Sequence, residues 1–264
     1  MTEKSVLERA CELVGLGGDV RLFSRRARFA GWPEQRIAEE LGLPNVKERF
    51  AAAVELGVAA DLRRRVDRYM RDALIDGPRA LALLDVDQLA NLVSPQLRHE
   101  ATAYDPFKTG GRLVCGPSGI GKSVAGIAVM RRLHPLKPSN MNDLWDNPEA
   151  ETGPSSLWAR AFGLANARLE SKLGDGEASA VRSAIAANFL VLDDMGWESK
   201  RAGADDVIAE VIAARYDAGR ITYATTGISY SAFVDRYGSA VVRRIVESGG
   251  LKGKVVDVWP GASK

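Results

Sequence analysis

Cysteine and histidine are scarce in this chain of 264 residues, with two of each. Cys11 and Cys115 lie far apart, and neither His99 nor His134 has a cysteine or histidine nearby at ligand spacing. That counts against a disulfide framework and against a structural zinc site. Charge of one sign is lacking too. The net charge is +2, and residues 1–100 carry sixteen Lys/Arg against sixteen Asp/Glu. No global basic field advertises nucleic acid, so any such contact must come from local patches. No apolar run approaches the roughly 18 residues of a membrane span. The opening MTEKSVLERA has two acids and no apolar segment of the signal-peptide kind. A cytoplasmic protein without a membrane partner is expected. What is present, 46% hydrophobic and 27% charged residues, is the composition of a globular chain with a real core.

The hydrophobic pattern divides the chain in two. From residue 1 to about 100 apolar residues recur at steps of three and four, as in Phe50, Val54, Val58, Leu62, Val66 and Tyr69. That is helix spacing, and no strand-like alternation interrupts it. The stretch LALLDVDQLANLV reads as one more amphipathic helix stopped by Pro95. An all-helical N-terminal module over 1–100 is therefore expected. From 101 to 264 short apolar runs alternate with helical stretches: RLVC, SSLWARAF, NFLVLDD, ITYATT and KVVDVW as strands, with helices between. Such alternation predicts an α/β core with a largely parallel sheet flanked by helices. HPLKPSNMNDLWDNPEAETGP, rich in Pro, Asn and Asp, reads as a loop or insertion.

Two motifs carry chemistry. Gly116, Pro117, Ser118, Gly119, Ile120, Gly121, Lys122 and Ser123 fit G-x-x-x-x-G-K-S/T without a gap, with Val124 continuing into a helix. Glycines let backbone N–H groups converge on phosphate oxygens, and the helix behind points its positive end at the anion. Lys122 is placed to reach the β- and γ-phosphates of ATP, and the Ser123 hydroxyl to ligate Mg²⁺. The second motif is FLVLDDMG, Phe189 to Gly196, in which four apolar residues end in paired carboxylates. Asp193 suits a Mg²⁺ ligand acting through water, and Asp194 a group that orients the attacking water. On a regular strand these two side chains would point to opposite faces.

The order LVLDDMG, AARYDAG, ITYATTGIS, YGSAVVRRIVE over roughly 105–260 resembles the AAA+ ATPases of the DnaC/IstB type. That group includes bacterial replicative-helicase loaders and transposition helper ATPases. The resemblance implies a P-loop AAA+ core and ATP hydrolysis. It implies a polar sensor at the end of ITYATT; many relatives carry Asn where this chain has Gly227, so Thr225 or Thr226 must serve, and Thr226 is taken as the sensor. It also implies a homo-oligomer in which an arginine finger completes a neighbour's site, with Arg244 first and Arg243 second. Some twenty residues follow Arg244, so a core without a C-terminal helical lid is expected.

The partner is less legible. IAEELGL hints at a helix-turn-helix, but Pro44 and Val46 fall where base-reading residues would start, so a protein-docking module fits better. RLFSRRARF and DLRRRVDRYMR interleave arginines with aromatics, which suits single strands more than duplex, or an ordinary solvated helix face. Three functions remain open: loading of a replicative helicase, assistance to a transposase on duplex DNA, and a nucleotide-gated interaction switch with little hydrolysis.

Overall fold

A computed structural model describes residues 67–74, 77–133, 155–171, 176–198 and 203–259. The helices expected before residue 67, the possible helix-turn-helix, the RLFSRRARF patch and the loop expected over 134–154 lie outside the described residues. The chain divides into two compact units, Met1–Val66 with Leu136–Glu151, and Asp67–Pro135 with Thr152–Lys264. All described residues belong to the second unit.

That unit is built on five strands: β1 (Arg112–Cys115), β2 (Ser156–Arg160), β3 (Phe189–Met195), β4 (Ile221–Thr226) and β5 (Lys254–Asp257). They lie in the order β2-β3-β4-β1-β5, and every pairing is parallel. β1 and β4 are buried along their whole length, as are Phe189 to Asp193 of β3. Continuous apolar runs rather than alternation are what a sheet covered on both faces requires.

Around the sheet run α1 (Val86–Asn91), α2 (Arg98–Thr102), α3 (Pro106–Thr109), α4 (Lys122–Leu133), α5 (Ala161–Leu169), α6 (Ser179–Ala186), α7 (Ala204–Asp217), α8 (Tyr230–Tyr237) and α9 (Ser239–Val246). On one face Leu164, Ile208, Val211, Phe233 and Ile245 pack with Leu190 and Leu192 of β3. α7 follows its sequence signals, with Asp205 and Asp206 in its first turn, where they favour the positive helix end.

The boundary expected at residue 100 falls inside this unit, which begins at Asp67. α1 and α2 rest on α4, and Leu89, Leu97 and Ala101 are fully buried. Buried Glu100 pairs with Arg112 of β1 at 3.3 Å, and the Arg112 guanidinium stacks 4.1 Å over the Tyr104 ring. The helical spacing just before residue 100 thus reports packing against the sheet-bearing core. The single helix expected over LALLDVDQLANLV is broken in two. Residues Arg79–Leu83 form a 3₁₀ turn, and Asp85 starts α1 through a capping box with Gln88.

Arg215 of the AARYDAG stretch is a buried tie. Its guanidinium donates to the carbonyls of Ala184, Ala187 and Ile221 and to the Thr222 hydroxyl. The end of α6 is thereby joined to the start of β4. Burial lowers its pKa to about 9, with Arg220 adding to the shift. Among the described residues no helix is long and apolar enough to cross a membrane.

Candidate functional site

The glycine-rich loop leaves β1 and enters α4 at the C-terminal edge of the sheet, where ligands of open α/β sheets gather. Gly119 and Gly121 take positive φ of 85° and 88°, a conformation that costs other residues but not glycine. Gly121 is also pressed from outside, since a Cβ there would lie 2.9 Å from the Leu92 carbonyl oxygen and the Val93 Cα. The Ser94 N–H donates to the Ile120 carbonyl at 3.0 Å, so the segment after α1 braces the loop. Its other flank is tied by the Gly116 N–H, which donates to the Thr226 carbonyl of β4 at 3.2 Å. Ser118 and Gly119 are exposed at the tip, while Pro117, Ile120, Ser123 and Val124 are half-buried.

Lys122 is 6% exposed, and its ammonium donates to the carbonyls of Gly116 at 2.8 Å and Pro117 at 2.7 Å. The charge therefore lies folded along the inside of the loop. Burial lowers its pKa, and the carboxylates of Asp194 and Asp193 pull it back up.

Asp193 is 2% exposed. Its carboxylate accepts from the Thr225 hydroxyl at 2.6 Å, and the Ser123 hydroxyl is near enough to favour its charged form. Burial raises its pKa, against the two hydroxyl donors and Arg160, which stands in register with it on β2. Asp194 departs from strand geometry. Its φ is +56°, unique among described non-glycine residues, and the β3–β4 register shifts between Leu192 and Met195. The expected alternation of the two acids is replaced by a bulge at the strand end, and both carboxylates act on Lys122. A left-handed aspartate costs about 1 kcal/mol or more and persists only where its surroundings hold it. Here the Asp194 N–H donates to the Thr225 hydroxyl at 3.1 Å.

The two threonines differ sharply. The Thr226 hydroxyl is turned to the Met195 carbonyl at 2.6 Å and receives the Ile228 N–H at 3.3 Å. It is spent on backbone and does not reach the acids. Thr225, on the opposite face of β4, is the threonine that touches them. Arg243 is exposed and Arg244 half-buried on α9, whose buried side is Val241, Val242 and Ile245. Neither arginine makes an ion pair among the described residues.

Sequence reasoning missed the network behind the acid pair. Glu198 is buried, and its Oε2 accepts from the Tyr237 hydroxyl at 2.5 Å and the Gly196 N–H at 2.9 Å. Arg236 reaches the same oxygen at 3.3 Å, the Gly196 carbonyl at 2.8 Å and Asp205 at 2.8 Å. Burial raises the Glu198 pKa, while the tyrosine, the backbone and Arg236 oppose it. The turn after β3 is thereby fixed. An arginine and a tyrosine some forty residues downstream left no local signal of this.

The donor set suits a magnesium ion. The Ser123 hydroxyl and the Asp193 carboxylate, near enough to interact, are hard oxygen ligands beside the loop. No group of three or more His, Cys, Asp and Glu gathers among the described residues. An ion held here would thus take its other ligands from nucleotide and water, as Mg²⁺ commonly does.

Sheet order, loop and acid pair together make a P-loop core on a five-stranded parallel sheet. No protein-family model matches the chain, and no curated protein matches it. Among solved structures it is similar to the DnaC helicase loader, at 20% identity over 66% of this chain and 91% of that one, with a TM-score of 0.42. It is similar to DnaI at 16% identity over 70% and 95%, TM-score 0.47. A third is AMPPCP-bound DnaA from Aquifex aeolicus, at 15% identity over 61% of this chain and 44% of that one, TM-score 0.40.

Proposed function

We propose that this chain binds and hydrolyses ATP and acts in DNA replication as a DnaC-like helicase loader. The observation that carries the ATPase reading is Asp193 held at 2.6 Å by the Thr225 hydroxyl of β4, with the Ser123 hydroxyl of the loop near enough to favour its charge. Backbone N–H groups of the loop would receive the phosphates, and Lys122 would turn from its carbonyl partners onto the β- and γ-oxygens. A bound Mg²⁺, held by Ser123 and through water by Asp193, supplies charge neutralisation at the phosphates. Asp194 would orient the water and take its proton, held in place by its backbone tie to Thr225. Arg244 of a second copy would complete the site in an oligomer, which makes cleavage depend on assembly.

The replication reading is supported by the motif order shared with the DnaC/IstB group and by the DnaC name among the solved neighbours. Two measurements test it. Lys122→Ala should abolish binding of a fluorescent ATP analogue; unchanged affinity rejects the cradle. The full chain should co-purify with a hexameric replicative helicase in an ATP-dependent manner and prefer single-stranded to duplex DNA. ATP-dependent filaments on duplex DNA would instead favour an IstB-like transposition helper. Tight ATP binding with turnover indifferent to Asp194→Asn would favour an interaction switch.

A further inference from the structure

The backbone at the end of β3 is held at three successive residues. The Asp194 N–H donates to the Thr225 hydroxyl at 3.1 Å, and the Met195 carbonyl accepts from the Thr226 hydroxyl at 2.6 Å. Both backbone groups of Gly196 are then taken by side chains from beyond the strand. Its N–H is shared between Glu198 Oε2 at 2.9 Å and the Tyr237 hydroxyl at 3.0 Å, and its carbonyl accepts from Arg236 at 2.8 Å. Asp194 and Gly196 both have positive φ, +56° and +97°. A left-handed aspartate persists only where its surroundings over-determine it. β4 supplies the first two restraints, and Glu198 with α8 supplies the third.

The third restraint is the costly one. Glu198 is 4% exposed, and its Oε1 is buried with no hydrogen-bond partner among the described residues. A buried carboxylate with one oxygen unmet opposes folding. A neutral side chain could cap a single N–H at less cost. The carboxylate also draws in the Tyr237 hydroxyl at 2.5 Å and Arg236 at 3.3 Å. These donors are themselves fixed. The Tyr237 ring lies 4.8 Å from that of Phe233, which is fully buried in the core, and Arg236 reaches Asp205 of α7 at 2.8 Å. A rigid route thus runs from the packed core through Tyr237 and Glu198 to Gly196, two residues from Asp194.

We infer that Glu198 and Tyr237 are positioning residues for ATP hydrolysis, setting the direction in which the Asp194 carboxylate leaves the backbone through their hold on Gly196. This rests on the ATP reading of the site. In the hydrolysis step the water oxygen bonds to the γ-phosphorus, and the bond to the β,γ-bridging oxygen breaks. ADP leaves with that electron pair, and Asp194 receives the water proton. Misplacing such a group by about 1 Å can cost on the order of a hundredfold in rate. Nucleotide binding uses the loop and Lys122, and Asp193 is held separately by Thr225. Loss of the clamp therefore acts on kcat and spares affinity.

The test uses the full chain, with ATP and Mg²⁺ for turnover and the non-hydrolysable analogue AMPPNP for binding. Rates are expressed per AMPPNP-binding molecule, so that misfolded protein does not count. Tyr237→Phe deletes one hydroxyl and keeps the ring against Phe233. It should lower kcat about tenfold and leave AMPPNP affinity within about twofold of wild type. Glu198→Ala should lower kcat about a hundredfold, and Glu198→Gln, which keeps an acceptor oxygen for the Gly196 N–H, should restore most of it. A double-mutant cycle separates aiming from packing. In Asp194→Asn no carboxylate is left to aim. Adding Tyr237→Phe there should lower the melting temperature as it does in wild type, yet leave the residual single-turnover rate unchanged. A full further loss of rate in that background, a wild-type kcat in Tyr237→Phe, or an AMPPNP affinity that falls in step with the rate overturns the inference while the cradle stands. A wild-type chain that does not turn over ATP overturns both.

Discussion

The Thr225 hydroxyl donates to Asp193 Oδ1 at 2.6 Å and accepts the Asp194 N–H at 3.1 Å, so one side chain of β4 positions both acids of β3. Its two roles are separable. The first stabilises the charge of a buried carboxylate, and the second supports the left-handed backbone at Asp194.

Thr225→Val removes both contacts at nearly constant volume. The fold should survive, because the apolar neighbours of β4 are kept, but ATP turnover should fall about tenfold to a thousandfold, the range for losing a preorganised hydrogen bond near reacting groups. Thr225→Ser keeps the hydroxyl and should restore most of the rate, which a purely packing role would not require. Thr226→Val should lower thermal stability, since it strands the buried Met195 carbonyl, with a smaller effect on turnover per folded molecule. Steady-state ATPase assays beside thermal melts separate the two positions. Equal kinetic effects from both would remove the distinction drawn between them.

The buried acid has a consequence for stability. Burial raises the Asp193 pKa in the folded state above its unfolded value. A raised group gives its stabilisation fully below the unfolded pKa and loses it as pH rises through the folded pKa. Ionising this carboxyl in the nucleotide-free protein therefore carries a net cost. Asp193→Asn keeps one acceptor oxygen for the Thr225 hydroxyl and should raise the melting temperature at pH 7, by about 2–4 °C for each kcal/mol relieved in a chain of this size. The advantage should shrink as pH falls through the wild-type carboxyl's titration. A melting temperature lower than wild type at pH 7 would show that the charge stabilises the empty site.

The sheet and its cradle were legible because their signals are local. Gly119 and Gly121 mark left-handed backbone, and apolar runs such as Phe189–Leu192 mark strands buried on both faces. The boundary at residue 100 was not legible, since amphipathic helices look alike whether they form a separate module or lie on α4. Which of Thr225 and Thr226 touches the acids turned on the facing of two adjacent identical residues at a bulged strand pair, which spacing alone does not decide. Arg215 and the Glu198–Tyr237–Arg236 network were hidden for another reason. Arg215 and Glu198 are buried charges whose side-chain partners come from distant segments, and in sequence each reads as an ordinary surface residue.

The finger assignment turns on geometry between copies and is tested by mixing. Arg244 stands half-buried and Arg243 exposed on the same helix, neither in an ion pair among the described residues. If Arg244 acts on a neighbour's nucleotide, Arg244→Ala retains a sound Asp194 and Asp194→Asn retains a sound finger. Each alone should be nearly inactive. Mixed in equal amounts and allowed to exchange subunits, about a quarter of interfaces would join an intact Asp194 to an intact Arg244, so up to that fraction of wild-type turnover should return. Arg243→Ala, an exposed neighbour on α9, should behave near wild type by itself. Recovery absent from the first mixture but present when Arg243→Ala replaces Arg244→Ala would move the finger to Arg243. No recovery in either would place the completing charge elsewhere in the chain.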